Sequence, residues 1–224
     1  VVQLSARLRH LTTPVIAVGD FNFEEEHAEY EILTGLTGLR DAARIVGPPK
    51  DTLLAENPYR TGAEKGGARI DYAYCRDGAE TSIAPRSVRR VFDGAFEIGG
   101  RRMTYSDHAG LLIDFDLSEG GAAAPAASPA SIELARRLLT EGREEARGRR
   151  RSLRLAGGTG LALSTAGLAA VRRVGWSRRR LLRSAVLAGV ALAGGGCLGL
   201  SELFLPDELE GFAEALRRLR RMAR

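Results

Sequence analysis

The chain has 224 residues and a formal net charge of +5, from 33 Lys and Arg against 28 Asp and Glu, which by length is one ordinary domain with a further segment attached. A 44% hydrophobic share with 27% charged residues excludes wholesale disorder, and two cysteines far apart, Cys75 and Cys197, exclude a disulfide scaffold and a cysteine-based zinc site. Residues 1–117 carry 14 basic and 18 acidic side chains while 118–224 carry 19 and 10, so an acidic half is joined to a strongly basic one. Only Lys50 and Lys65 among the basic residues are lysine, in a chain crowded with Ala and Gly. We read that bias as genome base composition, and the high pI is no argument for nucleic acid.

The chain opens on Val1 without a signal-peptide pattern, inside what reads as a helix, Val1 to Leu8, and is expected to be a fragment. Pro14 to Val18 is a short apolar run rich in β-branched residues, which predicts a strand buried on both faces and ending at Gly19-Asp20-Phe21-Asn22. Glu24, Glu25 and Glu26 precede Ala28, Ile32, Leu33 and Leu36 at helical spacing, which predicts three carboxylates in a first helical turn where the dipole favours them. A long loop with Gly47-Pro48-Pro49 and Asn57-Pro58-Tyr59 as breakers follows. Strands are then predicted at Ala68 to Cys75, Val88 to Phe92 and His108 to Leu117, which puts this half in the α/β or α+β class.

Small residues and two prolines from Ser118 to Ala130 read as a linker, with Ser128-Pro129 as the N-cap and first position of a helix. That helix carries Ile132, Ala135, Leu138 and Leu139 on one side and becomes Arg-rich through Arg143, Arg147, Arg149, Arg150, Arg151 and Arg154. Two uncharged runs follow, Leu155 to Val171 and Ser184 to Ser201, each short for a hydrocarbon core of about 30 Å. Ala162, Ala166 and Ala170, and likewise Gly189, Ala193 and Cys197, recur at spacing four and offer stripes for close helix packing in lipid. A two-helix membrane hairpin is the preferred reading and a soluble Ala/Gly-rich hairpin the alternative. Arginines stand before the hairpin and also within its turn, at Arg172, Arg173, Arg178, Arg179, Arg180 and Arg183, so charge does not assign sidedness. The tail from Pro206 to Arg224 sets Leu209, Phe212, Ala213, Leu216 and Leu219 against Arg217, Arg218, Arg220 and Arg221, as in a helix lying on an anionic membrane surface or docked on a domain.

Three constellations carry possible chemistry. Gly-Asp-x-Asn at a strand end delivers Asp20 and Asn22 to a sheet rim; Arg69-Ile70-Asp71-Tyr72 sets an acid in a strand; Ser106-Asp107-His108 sets an acid beside an imidazole. Alone, each also reads as an ordinary turn, an acid serving an arginine, or a loop. In this order they resemble the endonuclease/exonuclease/phosphatase superfamily of deoxyribonucleases, abasic-site endonucleases and neutral sphingomyelinases. The resemblance implies a four-layer αββα sandwich and Mg2+-dependent phosphodiester hydrolysis. Asp20 would then align or activate the attacking water, Asn22 would donate to the substrate phosphate, and Asp71 would orient His108. Asp107 would belong to the metal side, and His108 would hydrogen-bond phosphoryl oxygens or transfer a proton. His10 and His27 match no motif.

The resemblance covers Val1 to Leu117 and only the second half of the family's catalytic domain, so an Asn, a metal-binding Glu and a His are expected upstream, and the chain alone is expected to be inactive. Thr34 to Ala42, Asn57-Pro58-Tyr59 and Arg69 to Tyr72 look most like neutral sphingomyelinases, and the hairpin resembles the C-terminal anchor of one branch of them. The expected organisation is a C-terminal catalytic half at 1–117, a linker at 118–130, a basic amphipathic helix at 131–154, a transmembrane hairpin at 155–201 and an amphipathic basic tail at 202–224. The expected function is hydrolysis of a membrane lipid, sphingomyelin first, by an integral membrane protein with two C-terminal helices. A membrane-tethered nuclease and a non-catalytic membrane adaptor are the alternatives, and nucleic acid is not the expected partner.

Overall fold

The β-branched run at Val15, Ile16 and Val18 extends the chain as it leaves the first helix, so α1 (Val2–Arg9) is followed by β1 (Val15–Asp20). The computed structural model describes residues 1–55, 57–59, 66–172 and 178–223, in two compact units: Val1–Ala135 with Arg218–Arg224, and Arg136–Arg217. The first unit continues through α2 (Ala28–Thr37), β2 (Arg40–Asp41), α3 (Ala42–Val46), β3 (Asp71–Arg76), β4 (Thr81–Val91), β5 (Phe96–Ile98), β6 (Arg101–Met103) and β7 (Gly110–Glu119). Among the described residues every strand pairing is antiparallel, in a sheet of order β1-β3-β2, a long β4–β7 pair and a β5–β6 hairpin. The molecule is thus mixed α/β with several antiparallel sheets and C-terminal helices.

Val15, Phe23, Leu33, Leu39, Tyr72 and Tyr74 form a buried cluster, with Leu8, Ala17, Phe21 and Tyr30 packed on it. Tyr72 and Tyr74 stack at 5.2 Å between ring centroids, and Phe21 meets Tyr74 edge-on at 5.2 Å. The expectation that the Val15 to Val18 strand is buried on both faces is corrected: Ile16 and Val18 are 50% and 65% exposed. It is β3, the central strand, that is buried from Tyr72 to Arg76. Apolar composition favours burial, but position in the sheet decides which strand receives it. Arg76 has no carboxylate partner among the described residues. Its Nη1 donates to Thr37 O (2.9 Å) and its Nη2 to Leu8 O (3.0 Å) and Leu11 O (2.8 Å), serving carbonyls at the ends of α2 and α1. Burial, with Arg9 nearby, holds its pKa below the usual arginine value.

Two local expectations change. α2 starts at Ala28 with His27 at its cap, so Glu29 and Glu31 hold the first turn and Glu24 to Glu26 precede the helix. The Glu24 N–H donates to His27 Nδ1 (3.1 Å), which closes that earlier turn. The linker also begins later, because β7 extends to Glu119. It is tied down rather than loose: Arg9 Nη1 donates to Pro125 O (3.0 Å) and the Ser128 N–H to Gly35 O (2.8 Å). Gly38 ends α2 at φ 69°, and a Cβ there would overlap Pro125. Pro129 opens α4 as expected, with the Ser128 Oγ accepting from the Ser131 N–H (3.4 Å) and Ile132 and Ala135 buried.

In the second unit α4 (Pro129–Arg172) runs unbroken past position 155, so the basic stretch and the first apolar run are one helix rather than two segments. α5 (Arg178–Gly199), a π-helical turn at Leu200–Phe204 and α6 (Leu205–Met222) follow. Pro206 accounts for the π turn: it lacks an N–H and crowds the carbonyl four residues back, and the Leu205 N–H reaches the Leu200 carbonyl five residues back. α4 and α5 lie side by side in opposite directions, with Gly157 against Gly194 and Leu198, Gly160 against Gly194 and Val190, and Gly167 against Leu187. These are not the expected stripes. Ala162, Ala166, Ala170, Gly189 and Ala193 are exposed and Cys197 is half-buried, so the contact runs along other residues of each helix. Glycine permits the closest approach and takes the contact. Arg150 and Arg154 both pair with Glu202, and Arg149 with Glu208, so the basic stretch is partly neutralised. Arg173 and the side chains of Arg172, Arg178, Arg179 and Arg180 lie outside the described residues. Leu181–Met222 is the one helix, among the described residues, long and apolar enough to cross a membrane.

Candidate active site

β1 delivers Asp20 and then turns sharply, because Asn22 takes φ 54°, a left-handed conformation that Asn tolerates better than most residues. The Asn22 N–H donates to Asp20 Oδ1 (2.9 Å), and the intervening Phe21 donates its N–H to Ile70 O (2.8 Å) while its ring enters the aromatic core. The turn is therefore held at its middle residue and presents Asp20 and Asn22, both exposed, at the sheet rim. In the register of β1 with β3, Asp20 stands opposite Asp71. Directly opposed residues of an antiparallel pair put their side chains on one face, about 5 Å apart at Cβ.

Asp71 Oδ2 lies 2.8 Å from His108 Nδ1. The carboxylate can only accept, so Nδ1 carries a proton and donates it to Asp71. Asp107 Oδ2 is 4.0 Å from that Nε2, and Asp107 Oδ1 accepts from Ser106 Oγ (3.2 Å). The structure thus joins Asp20, Asn22, Asp71, Asp107 and His108, from three separate parts of the sequence, through one strand pairing and a short chain of contacts.

What holds the Asp71–His108 pair was not apparent in the sequence, where 47–59 reads as a loop. Thr52 is fully buried, and its Oγ1 accepts from the Ile70 N–H (3.2 Å) and the Asp71 N–H (3.1 Å). Its carbonyl accepts from the Ala109 N–H (2.7 Å), and Leu53 bridges to both Ala68 and His108. Asn57, also buried, donates from Nδ2 to Ser106 O (2.8 Å), and Tyr59 donates from its hydroxyl to Thr104 O (3.0 Å). One segment therefore grips the chain at both members of the pair. Asn57-Pro58-Tyr59 was visible as a breaker; nothing in the sequence marked Thr52.

Arg69 secures the entry to β3. Its guanidinium pairs with Asp41 (2.6 Å) and with Glu25, lies 4.4 Å from the Tyr72 ring centroid, and its carbonyl accepts from Tyr72 Oη (2.9 Å). Glu25 also pairs with Arg44 (3.0 Å), which replaces its expected role as a helix-start acid. Tyr30 donates to Asp41 Oδ2 (3.2 Å), and burial, with the Asp41 charge adding, pushes its hydroxyl up to about 12.

The five residues come from three separate parts of the sequence and gather at one sheet rim. Residues 1–108 match the model of the Endonuclease/Exonuclease/phosphatase family. The match spans just under half of the chain and ends on His108, the last member of the cluster. Enzymes of the Endonuclease/Exonuclease/phosphatase family are hydrolases acting on phosphoester bonds. Comparison with curated protein sequences finds no match to the chain. Family members commonly use divalent metal ions, but among the described residues no three His, Cys, Asp or Glu side chains form a group that could hold one. Asp107 does not gather a hard-ligand set around it, and the residues present do not by themselves fit Mg2+.

Proposed function

We propose that the protein is a phosphodiester hydrolase acting on a membrane lipid, with sphingomyelin and release of phosphocholine as the first candidate. The observation that carries the hydrolase reading is the 2.8 Å contact of Asp71 with His108 Nδ1, with Asp20 opposite Asp71 in the sheet register. In the proposed reaction a water oxygen bonds to phosphorus and the P–O bond to the leaving alcohol breaks. Asp20 aligns or deprotonates the water. Asn22 donates its amide protons to the phosphate, and His108 uses Nε2 to hydrogen-bond a phosphoryl oxygen or to move the proton, its tautomer set by Asp71. Mg2+ dependence belongs to the proposal through the family resemblance, with Asp107 on the metal side. The four-layer sandwich is likewise proposed for the catalytic half.

The lipid reading is supported by the second unit. The outward sides of α4 and α5 carry Leu155, Leu163, Leu182, Val186 and Leu192, all exposed, while the inward sides carry glycines. Helices apolar on the side turned away from their partner suit a lipid surround, and we propose that 155–201 is a membrane hairpin. A membrane-tethered nuclease is the second reading, because the cleavage machinery is common to both, and a non-catalytic adaptor is the third. Assay of the intact protein with Mg2+ against sphingomyelin micelles and plasmid DNA separates them. Phosphocholine release is expected; nicking without it supports the nuclease, and silence on both supports the adaptor.

A further inference from the structure

Beside α3 the face of β4 walls a cleft of about 480 Å³, within the size range of small-molecule sites. None of Asp20, Asn22, Asp71, Asp107 or His108 lines it. Its charged lining is Lys50, Arg69, Arg86, Arg89 and Arg90 against one acid, Asp93. Arg69 is neutralised by Asp41 and Glu25, Arg86 by Asp116 and Arg90 by Asp93. Among the described residues Lys50 and Arg89, both on the lining of this cleft, make no ion pair, so its wall carries two uncompensated basic residues.

We propose that this cleft binds a terminal phosphate monoester, on Lys50 and Arg89, with Arg86 and Arg90 at the rim. The charge argues for the ligand. A phosphate monoester carries about two negative charges at neutral pH and three acceptor oxygens, which matches two unpaired cations. A carboxylate would leave one of them uncompensated. Nearby arginines held by carboxylates are already oriented and lose little freedom when a ligand arrives. The inference does not depend on the hydrolase reading, since it concerns binding at a different set of residues. Its ligand could be a free phosphate ester or the phosphate headgroup of a lipid, and the test separates these sources.

Inorganic phosphate is titrated into the full chain in detergent and the backbone amides are followed by NMR. Shifts centred on residues 87–90 and 50 are expected. Lys50→Ala with Arg89→Ala weakens that binding by about tenfold or more, from two lost charge contacts. His108→Ala leaves it unchanged. In the second arm, phosphatidylcholine vesicles with and without phosphatidic acid are offered to the same proteins. A phosphatidic acid preference lost in the double variant, with no response to free phosphate, assigns the cleft to a lipid headgroup. Shifts confined to residues 20–22 and 106–108, or equal binding by wild type and the double variant in both arms, overturn the proposal. The double variant's thermal midpoint, expected to match wild type because neither side chain makes an ion pair among the described residues, guards against misfolding as the cause.

Discussion

His108 has a carboxylate on each side, Asp71 at 2.8 Å from Nδ1 and Asp107 at 4.0 Å from Nε2, and only the first is close enough to be a hydrogen bond. Nδ1 is therefore the nitrogen that the structure fixes, and Nε2 is the one assigned to the substrate in the proposed reaction. In the intact protein, Ala at Asp20, Asn22, Asp107 or His108 is expected to lower turnover by about a hundredfold or more, the scale of losing a positioned acid–base or electrostatic group. His27→Ala, in a cap outside the cluster, stays near wild type; equal losses at His27 and His108 would show that the site is elsewhere. Glu25→Ala behaves differently from an ordinary exposed acid, because Arg69 is buried and would keep Asp41 alone. A stability loss of about 1–3 kcal/mol in urea unfolding is expected, and none at all would mean Asp41 suffices. The tyrosines set an alkaline limit. Burial raises Tyr30 to about 12 and holds Tyr72 and Tyr74 higher still, against 10.0 for the ordinary phenol. Groups raised in the folded state contribute stability that is whole below pH 10 and fades as pH climbs through the folded values. Phenolate absorbance should therefore rise together with loss of ellipticity, and phenolate appearing at pH 10 to 11 in a fully folded chain would contradict this.

Thr52 and Asn57 act as a brace at the level of elements, since they hydrogen-bond backbone at Ile70, Asp71, Ser106 and Ala109. Thr52→Val keeps the shape but leaves two part-buried N–H groups without this acceptor, at about 1–3 kcal/mol, whereas Thr52→Ser keeps the acceptor. The Val variant is expected to lose both stability and the distinct imidazole proton signals of His108, and the Ser variant to retain the signals. Matching spectra for the two would remove the brace from the account. In the second unit, Gly194→Leu should separate α4 from α5, because even a Cβ at Gly194 would lie 3.0 Å from Gly157 O. Leu163→Arg tests the outer face. Near the centre of a proposed span it costs about 2.5–3.5 kcal/mol on an insertion scale, and much of the variant is expected to leave the membrane fraction.

Taken whole, the molecule couples an α/β unit bearing the candidate site to a unit whose α5 begins an apolar helical run long enough to cross a membrane. Alkaline carbonate washing of membranes from cells making the protein should leave it in the pellet. Release into the supernatant would reduce the attachment to arginines and the amphipathic α6, and with it the case for a tethered lipid hydrolase. The charges bear on the same question: Glu202 and Glu208 pair with Arg149, Arg150 and Arg154, so fewer free cations remain near the helix ends than the composition implies.

The sequence by itself determined the elements with strong local signals. β1 follows from a β-branched run and the start of α4 from Ser128-Pro129, whereas the continuity of α4 through its Arg-rich stretch into the apolar run was not read from the sequence. It also determined the five candidate residues, because a strand end, an acid in a strand and an acid–imidazole pair are each written in consecutive positions. Only the tertiary structure decided which strand is central, which face of α4 meets α5, and what holds Asp71 to His108. Sheet order, helix rotation and the partners of Thr52, Asn57, Glu25 and Arg69 are contacts between residues distant in the chain. Local propensity carries no information about such contacts, since they form only when packing brings those residues together.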